Sequence, residues 1–222
     1  MNSVLTFSFP GVGFAQLNYG QLLLDGGLTN LFIGILSIIA LATAIERLVN
    51  LRPRHIVSKP LITKVRSWWK EAEPAEFERL CLQDGSVFAR TAAFISSHRH
   101  RDYASVSTAV SDLVSVEIRR NQQRIYPLAL VATITPLAGL FGTVIGIVET
   151  FNGIAETGHT GNVSVLAAGI YKALSTTAAG LFVAIPALGF YHYFRMRIRS
   201  ASLLLEEGLN GMLNDYVLRS DR

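Results

Sequence analysis

Three stretches of this chain run without Asp, Glu, Lys or Arg for as long as it takes to cross a lipid bilayer. Asp25 and Glu46 enclose 20 such residues, GGLTNLFIGILSIIALATAI. Arg124 and Glu149 enclose 24, IYPLALVATITPLAGLFGTVIGIV, and Lys172 and Arg195 enclose 22, ALSTTAAGLFVAIPALGFYHYF. A helix needs about 20 residues to traverse a hydrocarbon core of about 30 Å. A soluble core helix of that length would show a charged face, and none of these does. Composition agrees. Of 222 residues 50% are hydrophobic and 16% charged, with a mean hydropathy of +0.36, a balance that excludes disorder. A single cysteine, Cys81, excludes a disulfide framework. The sequence therefore predicts an all-α integral membrane protein with three transmembrane helices. The first run has no basic segment before it and starts late, so it reads as a span and not as a cleavable signal peptide.

The net charge of +4 and the pI near 9.4 raise the question of nucleic acid, and the placement of the charges answers it. Residues 1–46 hold no Lys or Arg, residues 47–124 hold 14 of the 20, and five more follow the third run. Only Lys172 belongs to a span, so 19 of 20 basic residues fall on one side. By the positive-inside rule the N-terminus is outside and the C-terminus cytoplasmic. The expected segments are an outer 1–27, a first span 28–48, a cytoplasmic helical domain 49–124, a second span 125–149, an outer loop 150–167, a third span 168–194 and a cytoplasmic helix 195–222. The basic excess reads as topology and predicts no nucleic-acid partner; the cluster 98-HRHRD-102 is the one formal exception.

Between the spans the chain is patterned. Pro74 can open a helix, with Glu76 and Glu78 in its first turn. Asp84-Gly85 breaks it, and 86-SVFARTAAFISSH-98 reads as a short helix. Val106, Ala109, Val110, Leu113, Val114 and Ile118 recur at helical spacing and lead without a break into the second span. Ile198, Ala201, Leu205, Leu209, Met212 and Tyr216 continue the third helix with an apolar stripe. That stripe predicts packing against the 105–124 helix and its neighbours; the alternative is a lipid-surface helix, disfavoured by Glu206, Glu207 and Asp215. Cys81 falls on the reducing side and reads as a packing residue.

The spans differ in kind. The first, mostly Leu, Ile, Ala and Phe, suits a lipid-facing helix. The second and third are rich in small residues: Ala138, Gly139, Gly142 and Gly146 in one, Ala178, Ala179 and Gly180 in the other. Such residues let transmembrane helices approach closely, either within a three-helix monomer or between copies. Pro136 and Pro186 interrupt backbone hydrogen bonding and predict bends. Thr133, Thr135, Thr143 and Thr150 stud the second span, and Ser175, Thr176 and Thr177 run together in the third. A Thr in a span ordinarily bonds its own i−4 carbonyl. At about 1.5 Å rise per residue, Thr143 and Thr177 fall in neighbouring layers of the outer half of the membrane, where two hydroxyls on small-residue helices can line a polar seam.

The blocks 136-PLAGLFGTVIGIVETF-151 and 169-GIYKALSTTAAGLFVAIPALGFYHYF-194, with the three-span layout and the large insertion between the first two spans, resemble the MotA/TolQ/ExbB proton-channel family in its ExbB/TolQ branch. The resemblance implies a subunit of an ion-driven motor in the bacterial inner membrane. It implies a homopentamer around a central pore, long second and third helices, and two copies of an ExbD/TolR-like single-span partner bearing a transmembrane Asp. It also implies a TonB/TolA-like energy transducer. The pore-lining threonines of the family fall on Thr143 and Thr177, with Thr176 beside them. The translocated ion would be H⁺, with Na⁺ the alternative, and no cofactor or metal is implied. The chemistry fits, because a proton relay in a membrane needs a titratable group and none of the three runs contains Asp or Glu.

Two residues depart from the family pattern. Lys172 in 169-GIYKAL-174 stands where the family commonly has Glu, and Glu149 stands where it often has a neutral residue. Both fall toward the outer end of the pore helices, about one turn apart in depth, and predict a Lys172–Glu149 pair, within the chain or between subunits; the alternative has Lys172 snorkelling to the interface. Competing functions are a gliding-type or Na⁺-driven stator of the same family, and a non-conducting oligomeric scaffold, separable by ion conduction. Enzyme chemistry is not expected: His159 and His192 are isolated, Cys81 has no organised base, and His98 with His100 alone make a weak metal site.

Overall fold

The computed structural model describes residues 27–50, 57, 59–71, 73–98, 100–157 and 163–220. The expected outer segment before residue 27 and the centre of the expected 150–167 loop lie outside them. All described elements are helices: α1 Gly27–Asn50, α2 Lys59–Glu71, α3 Pro74–Asp84, α4 Val87–Ser97, α5 Tyr103–Thr157 and α6 Val163–Ser220. Three of them, α1, α5 and α6, are long and apolar enough to cross a membrane. At 55 and 58 residues, α5 and α6 are more than twice as long as a span requires. α5 runs through Pro127 and Pro136, and α6 through Pro186, without interruption. Many large apolar side chains on these helices are exposed, Phe141, Leu174, Phe182 and Ile185 among them, as expected of surfaces that meet lipid or other chains.

The chain divides into two compact units, Met1–Leu36 with Thr135–Phe182, and Ser37–Ile134 with Val183–Arg222. The second holds a hydrophobic core built outside the apolar runs. Pro74 occupies the first turn of α3, where its missing N–H is harmless. Gly85 then takes φ 69°, and its N–H reaches the Cys81 carbonyl at 3.4 Å. This left-handed cap is open to glycine without strain and stops α3. Ser86 restarts the chain as a helix by accepting the Ala89 N–H at 3.1 Å. Of the eleven residues of α4, eight are buried, so this helix is the centre of the core.

Around α4 pack Val65 and Trp69 of α2, Phe77 and Cys81 of α3, Val106, Val110 and Val114 of α5, and Leu205, Leu209, Met212 and Leu213 of α6. Trp69 meets Phe77 edge to face at 5.3 Å, a favoured aromatic geometry. Gly208 makes room for Phe88: a Cβ there would stand 2.6 Å from the ring. The two predicted stripes therefore share one core, and the tail of α6 is a packing helix. Leu113 is the departure, 46% exposed; the buried face of α5 follows 106, 110 and 114, and Leu113 lies one step to its side. Tyr216 is outside the residues whose side chains are described.

The first span exposes most of its large apolar side chains and packs along one face. Leu28, Leu31, Ile38 and Leu41 are exposed, but Asn30, Ile33, Leu36, Ala40, Ala44 and Arg47 are buried along one face. Arg47 ends that stripe at 3% exposure, its Nε donating to Glu46 Oε2 at 2.8 Å. A polar residue at each end of an apolar stripe gives α1 a fixed rotation.

Candidate ion pathway

In the first unit α5 and α6 meet through glycines in antiparallel register. A Cβ built at Gly180 would be 2.8 Å from the Thr135 carbonyl oxygen, and one at Gly139 3.0 Å from Thr177 Cα. At Gly142 it would meet Thr176 Cγ2 at 2.5 Å and Thr29 Cγ2 at 2.9 Å, and at Gly146 the Ala173 Cβ at 3.1 Å. Gly169 closes the series against the Thr150 side chain. Contacts of this kind put helix backbones in van der Waals reach, which replaces the hydrophobic drive that lipid does not supply. Gly142 is also where all three spans converge, since Thr29 belongs to α1.

The threonines occupy this seam. Thr135, Thr143 and Thr176 are buried. Thr143 donates to the Leu140 carbonyl at 2.6 Å and Thr176 to the Lys172 carbonyl at 3.1 Å. Thr133, Thr150 and Ser175 likewise bond carbonyls of their own helices, the ordinary behaviour of hydroxyls in a span. Thr177 is different. Its Oγ1 is buried and has no hydrogen-bond partner among the described residues. Thr143, four residues beyond Gly139, stands about 6 Å further along the helix than the layer where Gly139 meets Thr177. The two expected threonines thus occupy successive layers.

Lys172 and Glu149 are not brought together within the chain. Both side chains are exposed, and no ion pair joins them among the described residues. The register explains it. Gly146 faces Ala173, so residue 172 is turned about 100° off the contact line and residue 149 lies on its flank. The predicted intrachain pair is therefore replaced by two exposed charges.

Asn30 is the residue that sequence reasoning missed. It is 1% exposed and sits one position from Thr29, the contact of α1 with Gly142. The signal was present: it is the only side-chain amide in the first apolar run, and an amide in hydrocarbon needs protein around it.

Three long apolar helices, glycine-packed and carrying buried hydroxyls, mark a multi-pass membrane protein. The family comparison agrees: the model of the MotA/TolQ/ExbB proton channel family matches residues 83–207, more than half of the 222, and the chain belongs to that family. It is 51% identical over 73 residues to the biopolymer transport protein ExbB of Salmonella typhimurium, covering 33% of this chain and 30% of that protein. With exbB1 of Vibrio cholerae it shares 32% over 124 residues, 56% of this chain and 54% of the relative. With TolQ of the Tol-Pal system of Pseudomonas aeruginosa it shares 39% over 100 residues, 43% of each. The chain spans about a third to a half of the length of these relatives.

Proposed function

We propose that the chain is the pore-forming subunit of an ion-driven motor in the bacterial inner membrane. Five copies enclose the single spans of two ExbD/TolR-like partners, and the assembly passes the energy of H⁺ flow to a TonB/TolA-like transducer. The observation that carries this reading is the Thr177 hydroxyl, buried in the seam without a partner among the described residues. An unsatisfied hydroxyl in an apolar layer is costly unless water or an incoming polar group meets it. The uncharged runs hold no acid of their own, so an Asp brought by another chain completes a site that can take up and release a proton. Thr143 and Thr177 solvate the ion; they cannot store its charge. Names of relatives in biopolymer transport and in the Tol-Pal system support a role in driving envelope work.

The test is Thr143→Ala combined with Thr177→Ala. Proton flux into proteoliposomes holding this chain and an ExbD/TolR-like single-span partner should be abolished, while native mass spectrometry still finds the pentamer. Full flux in the double variant would sink the pore assignment. A parent assembly that forms pentamers but never conducts would favour the scaffold reading, and flux that follows Na⁺ in place of H⁺ would favour a sodium-driven stator.

A further inference from the structure

A second feature of the molecule lies at the other end of the apolar runs. A cavity of about 400 Å³ in the second unit is lined by Arg119, Gln122, Ile125 and Tyr126 of α5 and by Tyr191 and Arg195 of α6. Ile125 opens the second apolar run and Arg195 ends the third, so the cavity sits at the boundary between hydrocarbon and water. We propose that it binds the phosphate headgroup of an anionic phospholipid.

The charge arrangement selects an anion. Arg120, next in sequence to Arg119, is ion-paired with Glu117 at 3.8 Å. Arg197, two residues past Arg195, donates to the Tyr193 hydroxyl at 2.8 Å and lies over its ring. Arg119 and Arg195 have no ion pair among the described residues. Two such guanidiniums lining one cavity favour a shared anion that neutralises both, and the planar fork of guanidinium matches the oxygens of a phosphate. Tyrosine hydroxyls and the Gln122 amide add donors and acceptors for phosphate and glycerol oxygens.

The apolar surroundings select a lipid over a free anion. Leu130 is one turn beyond Tyr126 on α5, and Leu188 one turn before Tyr191 on α6, so both continue the cavity's faces into the apolar runs. Both are large and half exposed, a wall along which an acyl chain can lie. Arg119 is about 9 Å outside the start of the run, the depth of the headgroup layer. Basic pockets between transmembrane helices on the basic side of a membrane protein recognise such headgroups.

The test uses the full chain purified in neutral detergent. Binding of dioctanoyl phosphatidylglycerol is compared with that of dioctanoyl phosphatidylcholine and of inorganic phosphate, by native mass spectrometry and by the shift in thermal midpoint. Phosphatidylglycerol should be retained and should raise the midpoint, and the other two should not. Arg119→Gln with Arg195→Gln should weaken phosphatidylglycerol binding about tenfold or more, and Arg199→Gln, outside the cavity, should leave it unchanged. Should the double variant not fold, each single substitution is expected to weaken binding by itself. Equal binding of phosphatidylcholine, an equal effect of inorganic phosphate, or undiminished binding in the arginine variants would overturn the proposal. None of these readouts requires ion conduction, so the outcome is independent of the motor reading.

Discussion

Gly180 of α6 lies against the backbone of Thr135 on α5, with no space between them for a methyl group. A Cβ added there would stand 2.8 Å from the Thr135 carbonyl oxygen and 3.2 Å from Gly139 Cα. Both obstacles are main chain, so neither can swing aside. Gly180→Ala should force the two helices apart and cost about 1–3 kcal/mol, as overpacking does. Gly189→Ala, where nothing lies within 4 Å, should be neutral or stabilise by up to about 1 kcal/mol. Thermal unfolding in detergent separates the two; equal shifts would mean that the register is wrong.

Thr177→Val keeps the shape of the side chain and removes a hydroxyl that has no partner among the described residues. Its removal should leave the thermal midpoint unchanged or raise it, because an unsatisfied buried polar group is a net cost. Ion flux through the assembled motor should nonetheless fall. A variant that is at least as stable and less active separates a functional hydroxyl from a structural one; unchanged flux would count against it.

Lys172 and Glu149 are exposed on the chain, and we propose that they meet between copies. Lys172→Glu or Glu149→Lys alone should weaken the oligomer, and the two together should restore it, as read by native mass spectrometry. A double variant no better than the singles would mean that each charge faces water or headgroups.

Cys81 is fully buried in the core, and burial, with Asp84 and Glu78 adding to it, pushes its thiol up to about 12. Ionisation is thus easier in the unfolded chain, where the value is near 9.0. The contribution to stability is intact below pH 9 and is lost as pH rises from there toward 12. Cys81→Ala should flatten that alkaline decline. N-ethylmaleimide should alkylate the folded protein at least about a hundredfold more slowly than the unfolded chain, because only the thiolate reacts.

How much of this was legible beforehand depends on how many residues a feature involves. The three spans follow from single-residue transfer costs summed along the chain, so the uncharged runs located them directly. The Gly85 stop and the Ser86 start were legible because each cap is local. Register was not: Gly139, Gly142, Gly146 and Gly180 advertise close approach, but which residue faces which depends on how two whole surfaces fit. The separation of Lys172 from Glu149 is a consequence of that register, which depth alone could not reveal. Asn30 was overlooked because an average over an apolar run hides one amide, although that amide lies on the buried face of α1.

The core around α4 also imposes an order in time. Val57, Phe77 and Phe88 emerge early in synthesis, while Leu205, Leu209 and Met212, which share their core, are made only after both later apolar runs. A chain still on the ribosome, or one whose last helix fails to insert, carries Phe88 uncovered. Completion of this core therefore reports that every span has been threaded, and a chain stopped short of it presents the apolar surface by which cellular proteases recognise unfinished work.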